Sequence, residues 1–303
     1  MRTFHTGDEI GGYRIVRRLG KGGMGSVYEV EHIRLGVHYA LKTFTFEADY
    51  ADVLKQKFLV EGKVLARLRE AHLVRVFDLD YEEASGTPYF VMDLVLYKDG
   101  DPHTLADVDT SDIDEKYLVR WFEDLAQALD YIHFNGIVHR DIKLGNVLLG
   151  ADKHVVLSDF GISRFTNRNL GKELDSVRTA VTGHSTQRLV MGTAGYMAPE
   201  VRRGREATAA ADSYSLGVMF AYLLTGMWYE RGSKVLQLLE GFDFGWGEIL
   251  PLLLAENPAE RATDLVPLAH RLCESKKKDE DEVPKWLQDA WNGLRSIWKG
   301  IVR

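Results

Sequence analysis

"LGKGGMGSVYEV" occupies residues 19–30, and the residue types just past its glycines decide the fold. Gly20, Gly22 and Gly25 give the spacing G-x-G-x-x-G, with Leu19 just ahead of them. Two unrelated phosphate-binding devices share that spacing. In one, a strand enters the loop and a helix leaves it, so that a dinucleotide's pyrophosphate rests on the helix N-terminus. In the other, the loop joins two strands and lies over a nucleoside triphosphate as a hairpin. Here the glycines run into "SVYEV", a β-branched and aromatic stretch that reads as a strand. The hairpin reading wins, and Val27 becomes a candidate to cover a nucleotide's base.

The neighbouring segments extend the same pattern. "YRIVRRL", "SVYEVEHI" and "VHYALKTF" are short strand-like runs bounded by glycine or charge. Phe58, Leu65 and Leu68 recur at helical spacing in "DVLKQKFLVEGKVLARLREA", which predicts a helix over 52–71. "LVRVFDLDY" and "PYFVMDLV" read as two more strands. From about residue 113 the chain turns helical, beginning with "IDEKYLVRWFEDLAQALDYIHFNG", where Gly136 is a plausible C-cap. The class is therefore α+β, with a small β-rich lobe (1–92) before a larger α-helical one (93–275), then a linker and tail (276–303).

Bulk composition narrows the function. At 303 residues the chain can hold two lobes with separate cores. A net charge of −7 argues against a nucleic-acid binder, which usually carries a basic domain. One cysteine, Cys273, excludes an internal disulfide framework and suits a reducing compartment. The start, "MRTFHTGDEIGGYRIVRRL", has no apolar segment of the secretory kind, and "YSLGVMFAYLLTG" (214–226) is too short to span a bilayer. A cytoplasmic protein is expected.

Further along lie "YALK" (39–42), "HRDIKLGN" (139–146), "SDFG" (158–161), "GTAGYMAPE" (192–200) and "NPAERAT" (257–263). In this order, and after the glycine hairpin, they resemble the protein-kinase signature set. Over roughly residues 10–272 the chain is similar to bacterial serine/threonine kinases of the eukaryotic-like, or Hanks, type. The resemblance implies a two-lobed protein-kinase fold, ATP with Mg²⁺ as cofactors (Mn²⁺ able to substitute), and protein substrates offering serine or threonine.

It also implies roles for individual residues. Lys42 would meet the α- and β-phosphates and pair with Glu61, the carboxylate in the middle of the first helix. Asp141 would orient the substrate hydroxyl and accept its proton, and Lys143 would neutralise the transferring phosphoryl group. Asn146 and Asp159 offer Mg²⁺ the hard oxygen ligands it prefers. Met92 would be the gatekeeper. The backbone of Asp93 and Val95 would bind the adenine edge, between Val27, Ala40 and Leu148. Asp99 or Asp101 would contact ribose. Thr193 would bridge Asp141 and Lys143, which suits serine/threonine rather than tyrosine kinases. Glu200 would pair with Arg261, Asp212 would hold the backbone of the catalytic loop, and His139 would be structural rather than a base, packing under Phe160.

The stretch between Asp159 and Glu200 is long and rich in Thr, Ser and Arg. Phosphorylation at Ser185 or Thr186, or next at Thr179 or Thr182, would order it by pairing with Arg140, Arg164 and Lys57. Beyond residue 275, "KKKDEDE" reads as a solvated linker. After it, Trp286, Trp291 and Trp298 share a helical face with Ala290, Leu294, Ile297 and Ile301 in a basic segment. Two readings stay open for residues 283–303: docking to a membrane surface or partner, and packing on the chain's own helical lobe. Two positions depart from the pattern, Leu144 and Ala262, each where the family commonly has proline. A pseudokinase that binds nucleotide without turnover is the competing class, although every catalytic position carries the functional residue type.

Overall fold

The computed structural model describes residues 3–22, 25–44, 58, 62–159, 195–229 and 245–282. Glu61, Thr193, Lys57, Phe160, Arg164, the candidate phosphorylation sites and the tail from 283 onward lie outside the described residues. The chain divides into two compact units, Met1–His103 with Leu148–Ser158, and Thr104–Val147 with Asp159–Arg303.

The first unit is built on a six-stranded antiparallel sheet. Its strands are β1 (Glu9–Ile10), β2 (Tyr13–Gly22), β3 (Gly25–His32), β4 (His38–Thr43), β5 (Val76–Tyr81) and β6 (Pro88–Met92), in the order β1-β2-β3-β4-β6-β5. β2 and β3 pair up to Gly22 opposite Gly25, with Gly20 opposite Val27, so the glycine stretch is a hairpin. Small residues suit its tip for a packing reason. Gly25 has φ 154°, and a Cβ there would lie 1.8 Å from the carbonyl oxygen of Thr43, whereas a Cβ at Gly20 meets nothing within 4 Å. Gly25→Ala is thus expected to lower stability by about 1–3 kcal/mol by forcing backbone apart, with Gly20→Ala near neutral. Urea unfolding of the two variants side by side checks this.

Alternation along the strands buries one face. Ile15, Tyr28, Val30, Leu41, Tyr89 and Val91 meet in a core with Phe4 and Ile10. Phe58, from the segment read as the first helix, stacks on Phe90 with centroids 4.4 Å apart. Residues 62–65 are helical, but the chain leaves the helix in a turn at 66–67 rather than at 71. Leu68 is still buried. Its periodicity therefore reported a buried side, not helical backbone. A second sheet takes the order β7 (His103–Thr104), β8 (Val147–Leu149), β9 (Val155–Leu157).

The second unit is helical. α1 (Glu115–Phe134) starts at Asp114, whose carboxylate accepts from the Lys116 amide, a capped N-terminus. It ends before Gly136, at φ 72°. After the short α2 (Pro199–Arg202) comes α3 (Ala209–Thr225), apolar on nearly every side and buried to match, closed by Gly226 in the left-handed region. α4 (Trp246–Leu254) brings Trp246 onto Phe220 of α3, stacked at 5.3 Å. α5 (Val266–Glu282) is tied to α1 by Asp130, whose carboxylate accepts from the amides of Leu265 and Val266. α5 continues through "KKKDEDE", so the run expected as a solvated linker has helical backbone. Lysine and glutamate are good helix formers, and no glycine or proline intervenes before Pro284. No helix among the described residues is long and apolar enough to cross a membrane.

Candidate active site

In the first unit, β4 carries Lys42 opposite Val27 of β3 and Phe90 of β6, and Ala40 opposite Met92. Ala40 is buried, while Val27, Met92 and Leu148 are half-buried, as surfaces able to take a flat apolar ligand would be. The Lys42 Nζ lies 5.6 Å from the centre of the Phe44 ring. At the end of β6 the chain becomes extended. The Asp93 N–H donates to Arg75 O at 3.0 Å, and its carboxylate accepts from the Arg75 amide at 2.9 Å. Asp93 is thereby fixed with its C=O as the group left to offer a ligand. Among the described residues the Val95 N–H has no hydrogen-bond partner. Together these make an acceptor and a donor suited to a purine edge.

The two candidate ribose acids are already engaged. Asp99 accepts from His103 Nε2 at 2.7 Å and from the Asp101 amide at 3.0 Å. Asp101 pairs with Arg17, whose guanidinium also donates to Gly100 O and, at 2.7 Å, to Glu29. Burial works against charge at Glu29, but hydrogen bonds from Arg17 and His38 more than offset it and hold the carboxyl below its usual range. Sequence reading missed Arg17. It faces Glu29 across a β2–β3 pairing with two register shifts, and those irregularities have no marker in the residues themselves.

In the second unit, the loop after α1 gathers the polar groups. Lys143 Nζ donates to Asp141 Oδ2 at 2.8 Å. Asn146, in the single 3-10 turn Leu144–Asn146, donates its Nδ2 to the same oxygen at 2.9 Å and to Asp141 O at 2.8 Å. The carboxylate is thus held by a cation and an amide, an arrangement that fixes its direction. Since the Nδ2 of Asn146 is committed to Asp141, the amide presents Oδ1 on its other side. Asp159 is exposed and takes φ 56°, a conformation aspartate tolerates better than most residues. An amide oxygen and a carboxylate are oxygen donors of the kind a hard divalent cation takes, so these residues fit such an ion. The Leu144 turn also shows that proline is not needed there.

The backbone under Asp141 is held from below. Asp212, in the first turn of α3 and 1% exposed, accepts from the His139 amide at 2.7 Å and the Arg140 amide at 2.8 Å. It therefore holds the backbone of this loop, as the resemblance implied. Arg140 sits at φ 68°, a strained choice for a long side chain, and the carboxylate compensates for that strain. His139 is buried, and its Nδ1 accepts from the Asp141 amide at 3.3 Å, which is a structural use of the ring. Asp212 also meets His133 Nε2 at 2.9 Å, a partner no sequence pattern singled out. Glu200 and Arg261 form the expected buried pair, with Arg261 also donating to the carbonyls of Ala255, Ala210 and Glu256. Tyr196 is buried, which pushes its hydroxyl up to about 12.

A family model described as "Protein kinase domain" matches residues 13–291. Serine/threonine-protein kinase PknA of Mycobacterium tuberculosis is 34% identical over 212 residues, covering 69% of this chain and 46% of that protein. Serine/threonine-protein kinase PknD of the same organism is 32% identical over 283 residues, covering 87% and 40%. The chain thus spans less than half the length of these curated relatives. The crystal structure of the Mycobacterium tuberculosis PknI kinase domain matches with a TM-score of 0.66 at 26% identity, over 90% of this chain and 100% of that one.

Proposed function

The chain belongs to the protein kinase domain family, and from that premise we propose that it transfers the γ-phosphate of ATP to serine or threonine hydroxyls of proteins, with Mg²⁺ as the metal. The observation that carries this reading is Asp141, whose carboxylate is aimed by Lys143 and Asn146 on a loop anchored to Asp212. The attacking hydroxyl oxygen forms a bond to the γ-phosphorus as the bond from that phosphorus to the β–γ bridging oxygen breaks. ADP leaves, and the hydroxyl proton passes to the Asp141 carboxylate. Lys143 offsets charge on the transferring group. Little base strength is needed, because positioning and charge neutralisation supply most of the acceleration in phosphoryl transfer.

The remaining assignments rest on the same chemistry. Lys42, partnered by Glu61, takes the α- and β-phosphates, and the backbone N–H groups of the glycine hairpin close over them. The C=O of Asp93 and N–H of Val95 hold the adenine edge, between Val27, Ala40 and Leu148, with Leu19 and Met92 at its margins. Asn146 and Asp159 would hold Mg²⁺, which when bound screens the phosphate charges. Thr193 would bridge Asp141 and Lys143. Phosphate on Ser185, Thr186, Thr179 or Thr182 regulates the segment they occupy.

The test is incubation with γ-labelled ATP and Mg²⁺, with and without a serine/threonine peptide library, then mass mapping. Label on peptide hydroxyls and on residues 179–186 is expected. Nucleotide binding with no transfer would establish the pseudokinase reading instead.

A further inference from the structure

Arg17, Glu29, Ala40 and Met92 stand opposite one another in a row across β2, β3, β4 and β6. Residues paired in this way lie on the same face of an antiparallel sheet. Arg17 therefore shares its face with Ala40 and, by strand alternation from Glu29, with Val27. Four adjacent strands are about 14 Å wide. From Met92 the chain leaves the row, runs through Val95 and closes a tight turn. In that turn the Tyr97 amide donates to Asp101 O at 2.8 Å and the Gly100 amide to Tyr97 O at 3.0 Å. The turn meets the far end of the same row, because all three nitrogens of the Arg17 guanidinium are engaged: Nε donates to Glu29, Nη1 to Asp101 and Nη2 to Gly100 O. The row and the segment 93–101 thus form a ring beside Val27 and Ala40, and Arg17 closes it.

We propose that Arg17 is a positioning residue for the nucleotide. By tying Gly100 and Asp101 to β2 it holds the segment with Asp93 and Val95 at a set distance from the sheet, and so sets how tightly ATP is retained. The proposal rests on the kinase reading only in naming ATP as the occupant; the closed ring itself is geometry. Three observations favour it over an ordinary surface ion pair, which contributes little. One planar fork spans three acceptors on two segments more than eighty positions apart, which a lysine's point charge could not do. Its anchor is fixed, since Glu29 is 8% exposed and His38 Nδ1 lies 2.7 Å from its other oxygen. The bond to Gly100 O restrains backbone rather than a side chain, and a rim that is already ordered loses less freedom when ligand arrives. Arg17 takes no part in the transfer itself.

The full chain with Arg17→Met, Asp101→Ala and both together, titrated with ATP and Mg²⁺ by calorimetry, tests this. Arg17→Met is expected to weaken ATP binding about tenfold, with kcat at saturating ATP unchanged. Asp101→Ala should weaken it less, about threefold, because Nη2 still reaches Gly100 O. The double variant should bind no more weakly than Arg17→Met, since the two changes break one linkage. Additive losses would overturn the proposal, because Asp101 would then act on nucleotide by itself. A fall in kcat with KM unchanged would also overturn it. A wild type that binds no ATP would remove the kinase reading and the proposal together. ATP held equally by wild type and Arg17→Met would overturn the proposal and leave that reading standing. If Arg17→Met does not fold, Asp101→Ala decides, its side chain being 61% exposed: wild-type affinity there would overturn the proposal.

Discussion

An Asp141→Asn variant is expected to transfer phosphate about 10²–10⁴-fold more slowly while still binding ATP. Asp141 Oδ2 faces two donors, Lys143 Nζ at 2.8 Å and Asn146 Nδ2 at 2.9 Å. Asparagine can answer them only by turning its single oxygen toward them, which removes the acceptor for the substrate proton. Turning its NH₂ there instead opposes donor to donor and opens the loop. Either outcome removes the proton acceptor and leaves untouched the first-unit residues proposed to hold nucleotide. Single-turnover transfer and ATP titration by calorimetry, measured on the same preparation, separate the two effects. A variant within tenfold of wild type in transfer would contradict the role given to Asp141.

Arg261→Ala should destabilise the protein by about 3–5 kcal/mol, because it strands a buried carboxylate. Glu200 is 4% and Arg261 5% exposed, and the guanidinium makes two bonds to the carboxylate besides those to three carbonyls. It also lies 4.9 Å from the Tyr214 ring centre. Burial pushes the Glu200 carboxyl up, but the Arg261 hydrogen bonds outweigh it and hold the group below the ordinary 4.5. A carboxyl depressed in the folded state contributes its stability fully above pH 4.5 and loses it as pH falls through the lower folded value. The difference between wild type and variant in urea unfolding should therefore shrink on acidification, beginning above pH 4.5, where the stranded carboxyl of the variant, raised by burial, first takes up a proton. Replacing both residues, as Glu200→Leu with Arg261→Met, should cost less than the single change, since no uncompensated charge remains.

The hairpin was legible because strand and helix differ in periodicity immediately after Gly25, and that difference excludes the dinucleotide geometry without any reference to packing. The polar loop 139–146 was legible for another reason. Its residues lie within a few positions of one another, so sequence proximity stands in for spatial proximity. Asp212 was reachable only through the resemblance, because the bonds to His139 and Arg140 span more than seventy positions. His133 and Arg17 were not reachable at all. A histidine in the last turn of an amphipathic helix has many possible uses, and an arginine on a strand is ordinarily solvated. The end of the first helix was misjudged because Leu68 is buried from irregular backbone as well as it would be from a helix. The helical backbone of the charged run 276–282 was not legible because a solvated composition is compatible with helix and with coil alike.

That last helix sets the heading of the chain as far as Glu282. A flexible leash of seven residues would let its cargo sample a sphere of directions. A helical one instead advances about 1.5 Å per residue along a fixed line. α5 is pinned at its start by the Asp130 carboxylate. Glu282 is therefore held at the tip of a strut aimed by the body of the second unit. Were the segment from 283 onward to dock, a set starting point and heading would raise its local concentration at a target on that heading above that of a flexibly tethered segment. A target off that heading is met less often, so the strut would select targets by direction before any contact is made.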